Sequence, residues 1–299
     1  MNQLMKNQIH SLKGMRDFYP ENMALRNWIY TKIREVSESF GYQEFEGPYL
    51  EAIELYAAKS GEELVKKQSF VFPDRSGEMI TLRPELTPTL ARMVAQRQQQ
   101  LHYPLRWWSF GPFWRYERPQ KGRTREFFQW NIDLIGVDTP EADAELIAVA
   151  ATFFQKVGLS PKDISILVND RRLVDSEFNN IDIPPGLRPE VLRLIDRREK
   201  MRSKQWLSYA QEIGLTNSQV DGLNQILGDD DLWRKSEIMR RLFSAIEALG
   251  VSSYVRYAPY IIRGLDYYTG TVFEAWDHDG EFRAILGGGR YDDLVSDVG

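Results

Sequence analysis

A chain of 299 residues with 42% hydrophobic and 27% charged side chains can bury a sizeable core and is expected to hold more than one structural unit. It has no cysteine, only three scattered histidines (His10, His102, His278) and no apolar run long enough to span a bilayer, which argues against disulfides, a fixed metal centre, imidazole acid–base chemistry and a membrane helix. The net charge of −5 speaks against a protein that coats nucleic acid, although local basic loops could still engage one.

The N-terminal segment MNQLMKNQIHSLKGMRDFYP has neither the apolar core of a signal peptide nor the arginines of a transit peptide, so a cytoplasmic location is expected. Residues 21–40 predict a helix: Leu25, Trp28, Ile29, Ile33 and Val36 recur at helical spacing after Pro20, and Gly41 ends the run. A short strand in GYQEFEGP closes at Pro48. Residues 68–83 predict a hairpin about Asp74–Gly77. In RPELTPTLARMVAQR, Thr87 reads as the N-cap, Pro88 as the first helical residue, and Leu90, Met93 and Val94 as the buried face. Glu85 then sits where a strand gives way to a helix, available to a ligand.

FWRYERPQKGRTREFFQWNIDLIG, residues 113–136, reads as a strand, a basic loop and a return strand. Phe128, Trp130, Ile132 and Leu134 alternate with Gln129, Asn131 and Asp133, which predicts an apolar core face and a polar open face. Gln129 and Asp133 point the same way, roughly 13 Å apart along the strand, a spacing that suits the two ends of an amino acid. Arg115 ends the outgoing strand, and Arg118, Lys121, Arg123 and Arg125 follow. Guanidinium groups present parallel donors that match phosphate oxygens, so this loop is suited to a triphosphate. Phe127 lies on the polar face; a stacking platform for a purine and a contact with a covering helix account for it equally well.

From about 171 to 248 strand patterns fade into amphipathic helices, broken at IDIPPGLRP and LGDDD. Strand texture returns in SYVRYAPYIIRGLDYYTGTVFEAW, and a turn at Asp277–Gly280 leads into a second hairpin containing LGGGRYDDL. That triple glycine fits neither a strand–GxGxxG–helix unit nor a Walker motif; it serves close approach of the backbone to a ligand or another strand. The expected class is α+β: an antiparallel sheet flanked by helices and interrupted by a helical insertion. The expected domains are 1–170, 171–248 (the insertion) and 249–299.

Together these segments resemble the histidyl-tRNA synthetases, class II aminoacyl-tRNA synthetases. Motif 1 is the helix and strand ending at Pro48, motif 2 is the 113–136 hairpin, and RGLDYYTGTVFE and GGGRYDDL match the two histidine-specific signatures. The resemblance implies that Glu85, Thr87 and Gln129 bind the α-ammonium of histidine. It implies that Asp133 and Tyr268 address the imidazole, with Tyr267 and Tyr291 lining the pocket. Arg115 would contact the α-phosphate of ATP, Glu117, Arg123 and Phe127 the adenine and phosphate end, and Arg263 the place where many class II enzymes use a metal ion. Asp133 stands where the family commonly has glutamate. The resemblance further implies ATP with Mg²⁺ (no fixed protein metal ligands), tRNA(His) touched by the helical insertion, and a homodimer. The synthetase-like regulatory subunit of ATP phosphoribosyltransferase, a histidine sensor, would share LRPELTPTLARMV, but it needs neither Arg115 nor Arg263 for adenylation. A structural RNA-binding module would have only the basic loop behind it. The family continues past GGGRYDDL into motif 3 and an anticodon-binding domain, so this chain reads as a piece of a longer protein, with impaired ATP activation and weak tRNA binding expected of the piece alone.

Overall fold

The computed structural model describes residues 9–57, 68–119, 122–198, 201–263, 268–282 and 284–293. They fall into two compact units, one made of the described residues up to Asp133 and the other of those from Leu134 to Asp293.

The first unit opens with α1 (Pro20–Ser39), started by a proline that already has its helical φ and needs no N–H partner. Only the C-terminal part of the expected apolar stripe is covered: Ile33 and Val36 are buried, whereas Leu25 and Trp28 stay exposed. β1 (Gln43–Glu44), β2 (Leu50–Ala52), α2 (Ile53–Ala57), β3 (Phe70–Pro73), β4 (Met79–Leu82), α3 (Thr87–Arg97), β5 (Leu105–Trp114) and β6 (Glu126–Ile135) follow. β4 is the centre of an antiparallel sheet, β2-β4-β3, with Leu82 opposite both Leu50 and Phe70. The β3–β4 turn is the expected one. The Asp74 carboxylate accepts from the backbone N–H of Ser76 (2.7 Å) and Glu78 (3.0 Å), and Gly77 takes the left-handed conformation the turn requires. A second sheet has the order β1-β5-β6, with β1 parallel to β5.

Two local readings need correction. Thr87 does not cap α3: it is the first helical residue, Leu86 takes the cap position without a side-chain bond, and Pro88 lies one place further in. Thr89 is fully buried, with its hydroxyl 3.2 Å from the buried Tyr56 phenol, so packing against α2 fixes this helix start. The faces of β6 are not divided into buried and open: all ten of its residues are half-buried. β6 is an edge strand among the described residues, and its apolar side carries only partial cover. Phe128 packs against Phe18 (5.6 Å) and Phe110 (5.8 Å), with the Arg26 guanidinium 4.7 Å above its ring.

Arg83, just past β4, has no exposed surface although it is charged. Its backbone N–H donates to Tyr49 and its carbonyl accepts from Trp114, which links the two sheets. Its Nε donates to the Pro112 carbonyl (3.0 Å), and its Nη1 donates to the Gly47 carbonyl (3.1 Å) and to the Glu46 carboxylate. The guanidinium stacks 4.5 Å from the rings of both Tyr49 and Phe113. Gly111 leaves room for it, since a Cβ there would come within 2.5 Å of Nη2.

The second unit contains α4 (Pro140–Lys156), β7 (Ile164–Asp170), α5 (Arg171–Glu177), α6 (Arg188–Asp196), α7 (Ser203–Glu212), α8 (Asn217–Leu227), α9 (Glu237–Ala248), β8 (Val255–Tyr257), β9 (Thr271–Asp277) and β10 (Leu286–Gly289). α4 is capped by Thr139 and packs against α9. α8 begins with a reciprocal capping box between Thr216 and Gln219. Between 171 and 254 the described residues contain helices and no strand, as the pattern implied. The sheet order is β10-β9-β7-β8, and β7 is almost wholly buried, as a strand covered on both faces must be. The α+β class holds, but the described strands pair into three sheets, two of them with one parallel pair. Parallel pairs need a crossover rather than a tight hairpin, and long helical connections supply one between β7 and β8.

Replacing Arg83 by methionine keeps the bulk between the two rings but leaves the Pro112 and Gly47 carbonyls without their donor and the half-exposed Glu46 carboxylate without its ion pair. We expect a loss of about 3 kcal/mol in urea unfolding. A loss below about 1 kcal/mol would show that the cross-link does not hold the sheets.

Candidate active site

In the first unit the basic loop is anchored before any ligand arrives. Arg115 follows the last residue of β5; its backbone N–H donates to the Arg125 carbonyl (2.9 Å), which closes the loop at its base. Its Nε donates to the Pro84 carbonyl at 3.0 Å, so a cation is tied to the residue preceding Glu85. Its Cζ lies 5.2 Å from the Phe127 ring, and Phe127 stacks on buried Phe113 (6.0 Å). Phe127 thus pairs with a neighbouring-strand ring and an arginine. Glu117 and Arg123 pair with each other at 2.8 Å, and Arg125 donates to the Glu117 carbonyl while lying over Tyr116 (4.1 Å). Lys121 lies outside the described residues.

Glu85 is buried and Thr87 half-buried at the strand-to-helix junction. The Glu85 carbonyl accepts a bond from the Tyr56 hydroxyl (3.3 Å), and burial pushes that phenol far above its ordinary range. On β6, Gln129 Nε2 donates to Asn131 Oδ1 at 2.9 Å, which places the polar residues of the strand on one side, as alternation requires. Asp133 lies two residues further along that side.

The second unit carries Arg263, Tyr268 and Tyr291, while Tyr267 lies outside the described residues. Arg263 Nη1 is 3.4 Å from Glu274 Oε1, and its Cζ is 5.6 Å from the Tyr268 ring. The Tyr268 carbonyl accepts from Arg171 Nη1 (2.9 Å). Thr269 donates its N–H to the Arg290 carbonyl (2.9 Å) and its hydroxyl to Asp292. Arg290, before Tyr291, is tied to Asp138 (2.6 Å), Asp143 (3.0 Å) and the Thr139 carbonyl (2.7 Å). Burial pushes the Asp143 carboxyl up, against the pull of Arg290. The glycines of β10 permit close approach as expected, but they lie within the strand itself: Gly288 faces the Phe273 ring and Gly289 the Tyr268 ring.

Sequence reasoning missed Arg83, Glu274 and Arg290. Each is a charge inside a motif otherwise read for its neighbours; a charge just past a strand (Arg83, Arg290) or in the middle of an otherwise largely apolar one (Glu274) was the available signal. Among the described residues no group of three or more His, Cys, Asp or Glu is placed to hold a metal ion. No helix among them is long and apolar enough to cross a membrane.

A family model described as histidyl-tRNA synthetase matches residues 14–299. The chain belongs to the histidyl-tRNA synthetase family. The chloroplastic/mitochondrial histidine–tRNA ligase of Arabidopsis thaliana is 39% identical over 98% of this chain, which spans 62% of that protein. The histidine–tRNA ligase of Haloarcula marismortui is 39% identical over 97% of this chain and 69% of its own length. The chain therefore spans less than two thirds of the first relative and little more of the second. The crystal structure of histidyl-tRNA synthetase from Nostoc shares the fold, with a TM-score of 0.84, 24% identity, and coverage of 98% of this chain and 70% of that one. As a member of the histidyl-tRNA synthetase family, the chain has the class II aminoacyl-tRNA synthetase fold.

Arg115 donates from its Nε to the Pro84 carbonyl, and the rest of its guanidinium carries further donors that would suit a phosphate. Lysine cannot divide its ammonium in that planar way. The Arg115→Lys variant should bind ATP about tenfold more weakly by calorimetry; unchanged affinity would remove Arg115 from the nucleotide site.

Proposed function

We propose that this chain activates L-histidine with ATP, releasing pyrophosphate, and passes the histidyl group from the adenylate to the 3′ end of tRNA(His). The observation that carries the reading is the tether of Arg115 to the Pro84 carbonyl, beside Glu85. It ties a cation to the residue that precedes the buried Glu85, within the motif segments that resemble the family's.

The histidine carboxylate attacks the α-phosphorus. The new C–O–P bond forms as the bond to the β-phosphate bridging oxygen breaks, and that oxygen leaves with its electron pair on pyrophosphate. The nucleophile is already ionised at neutral pH, so no general base is required. The barrier is one of alignment and of bringing anions together. From the first unit, Arg115 takes the α-phosphate. Glu117, Arg123 and Phe127 serve the adenine and phosphate end. Glu85, Thr87 and Gln129 take the ammonium, with Gln129 exchanging its bond to Asn131 for one to the substrate. Asp133 takes a ring nitrogen, one methylene shorter than the glutamate common in the family. Within the second unit, Arg263 is read as a phosphate-facing cation, and Tyr268 and Tyr291 as groups suited to an imidazole. Mg²⁺ carried by the nucleotide would supply charge neutralisation at the departing phosphates, with no fixed protein ligands assigned to it.

In the second unit an open groove of ≈ 380 Å³ is lined by Arg171, Arg172 and Arg188 together with Asp175, Tyr268 and Thr269; Arg188 pairs with Asp175 (3.0 Å) and Arg172 with Asp170 (2.8 Å), and the arginines' remaining donors support a polyanionic partner. We assign the helical run 171–248 to the acceptor arm of the tRNA. Exposed Tyr19, Leu25 and Trp28 on and beside α1 support a homodimer. A cytoplasmic location accompanies this reading.

The test is ATP–pyrophosphate exchange with each of the twenty amino acids, using the chain at its full natural length. Exchange with histidine alone is expected. Histidine binding without exchange would point instead to a sensor. Gln129→Ala should raise KM for histidine about tenfold or more, because a charged group loses a partner. An unchanged KM would take Gln129 out of the amino-acid site.

A further inference from the structure

Arg263 stands in the left-handed backbone region (φ 56°), which residues other than glycine keep only when their surroundings impose it. The surroundings are specific. Asn169, fully buried at the end of β7, donates from its amide to the carbonyls of Pro259 (2.9 Å) and Ile261 (3.0 Å), fixing the chain that enters Arg263. The guanidinium then lies across β10, where a Cβ built on Gly287 would fall on Nη1. From β9, Glu274 places Oε1 3.4 Å from that same nitrogen, while its Oε2 accepts from the Trp276 indole at 3.1 Å. The carboxylate is thereby oriented from behind.

The three glycines of β10 have different duties. Cβ atoms at Gly288 and Gly289 would come within 2.5 Å of the Phe273 ring and 2.7 Å of the Tyr268 ring, both stiff aromatic neighbours. At Gly287 the obstacle is the far end of a flexible side chain. A methyl group there moves the guanidinium and spares the backbone.

We propose that Gly287 and Glu274 are positioning residues for Arg263: the glycine clears the surface on which the guanidinium lies, and the carboxylate holds its Nη1. The proposal rests on the reading of Arg263 as the cation at the α-phosphate. A preorganised charge is effective only if it does not have to move as the reaction proceeds, so displacing it acts on turnover more than on substrate binding.

Gly287→Ala, Glu274→Gln and Gly288→Ala, made in the full-length chain, test it with three readouts: histidine-dependent exchange, melting temperature, and the NMR Nε–Hε signal of Arg263, assigned by its loss in Arg263→Lys. For Gly287→Ala and Glu274→Gln the Arg263 signal should shift, kcat should fall about ten- to hundredfold, KM for histidine should stay within about twofold, and melting should change little. Gly288→Ala should lower the melting temperature and leave the Arg263 signal in place. If neither the signal nor kcat responds to Gly287→Ala, the proposal is overturned. If the signal shifts and kcat holds, the contact stands but the positioning role is overturned. If the unmodified chain shows no exchange with histidine, it is the functional reading that fails, while the NMR signal still reports whether Gly287 and Glu274 place the guanidinium.

Discussion

Burying a guanidinium costs several kcal/mol unless its donors are met, and in the first unit Nε and Nη1 of Arg83 are met by groups from separate parts of the chain, while Nη2 is buried against Gly111 with no hydrogen-bond partner. Its Nε and Nη1 reach Pro112 on β5 and the Glu46–Gly47 segment after β1, while its backbone joins Tyr49 to Trp114. One residue later the Pro84 carbonyl receives Arg115, and the residue after that is Glu85. The strand-to-helix junction is therefore held from both sides before it presents any group to a substrate. If Arg83 gave way, the position of Pro84 and hence of Arg115 would give way with it.

The second unit uses the same physical device with different partners. Arg290 is held by two aspartates and a carbonyl at the start of α4, and its own carbonyl receives Thr269. Arg171 holds the Tyr268 carbonyl and Asn169 holds the segment before Arg263. Arginine suits this task because its planar fork meets several acceptors at fixed angles, where a lysine would swivel. Rigidity of this kind would serve the proposed adenylation, which needs alignment and charge compensation but no proton transfer at the attacking oxygen.

Much of this was legible in the sequence, for identifiable reasons. The β3–β4 turn rests on Asp74 and Gly77, local chemistry that any reader of turns can find. The helical run from 171 to 248 is written in periodicity. The motif strings named the family, because few families combine them in that order. What escaped depended on contacts distant in the chain. Thr87 looked like a cap, but packing of Thr89 on Tyr56 shifted the helix start. The alternation on β6 was correct in direction, since Gln129 and Asn131 share a side, yet an edge strand with partial cover has no fully buried face. Arg83 sat unread in TLRPELT because nothing local shows that a charge will be enclosed by Tyr49, Phe113 and Pro112. Gly287 was read as room for close approach; which of three adjacent glycines makes room for Arg263 is settled only by register with β9.

The central claim is that this chain is built around a histidyl-adenylate. A non-reactive adenylate analogue, with a sulfamoyl group in place of the phosphate, tests that by calorimetry against free histidine. Complementarity to the reacting species predicts binding at least about a hundredfold tighter than histidine alone. Equal affinities for the two would contradict the account and leave a protein that recognises histidine without activating it.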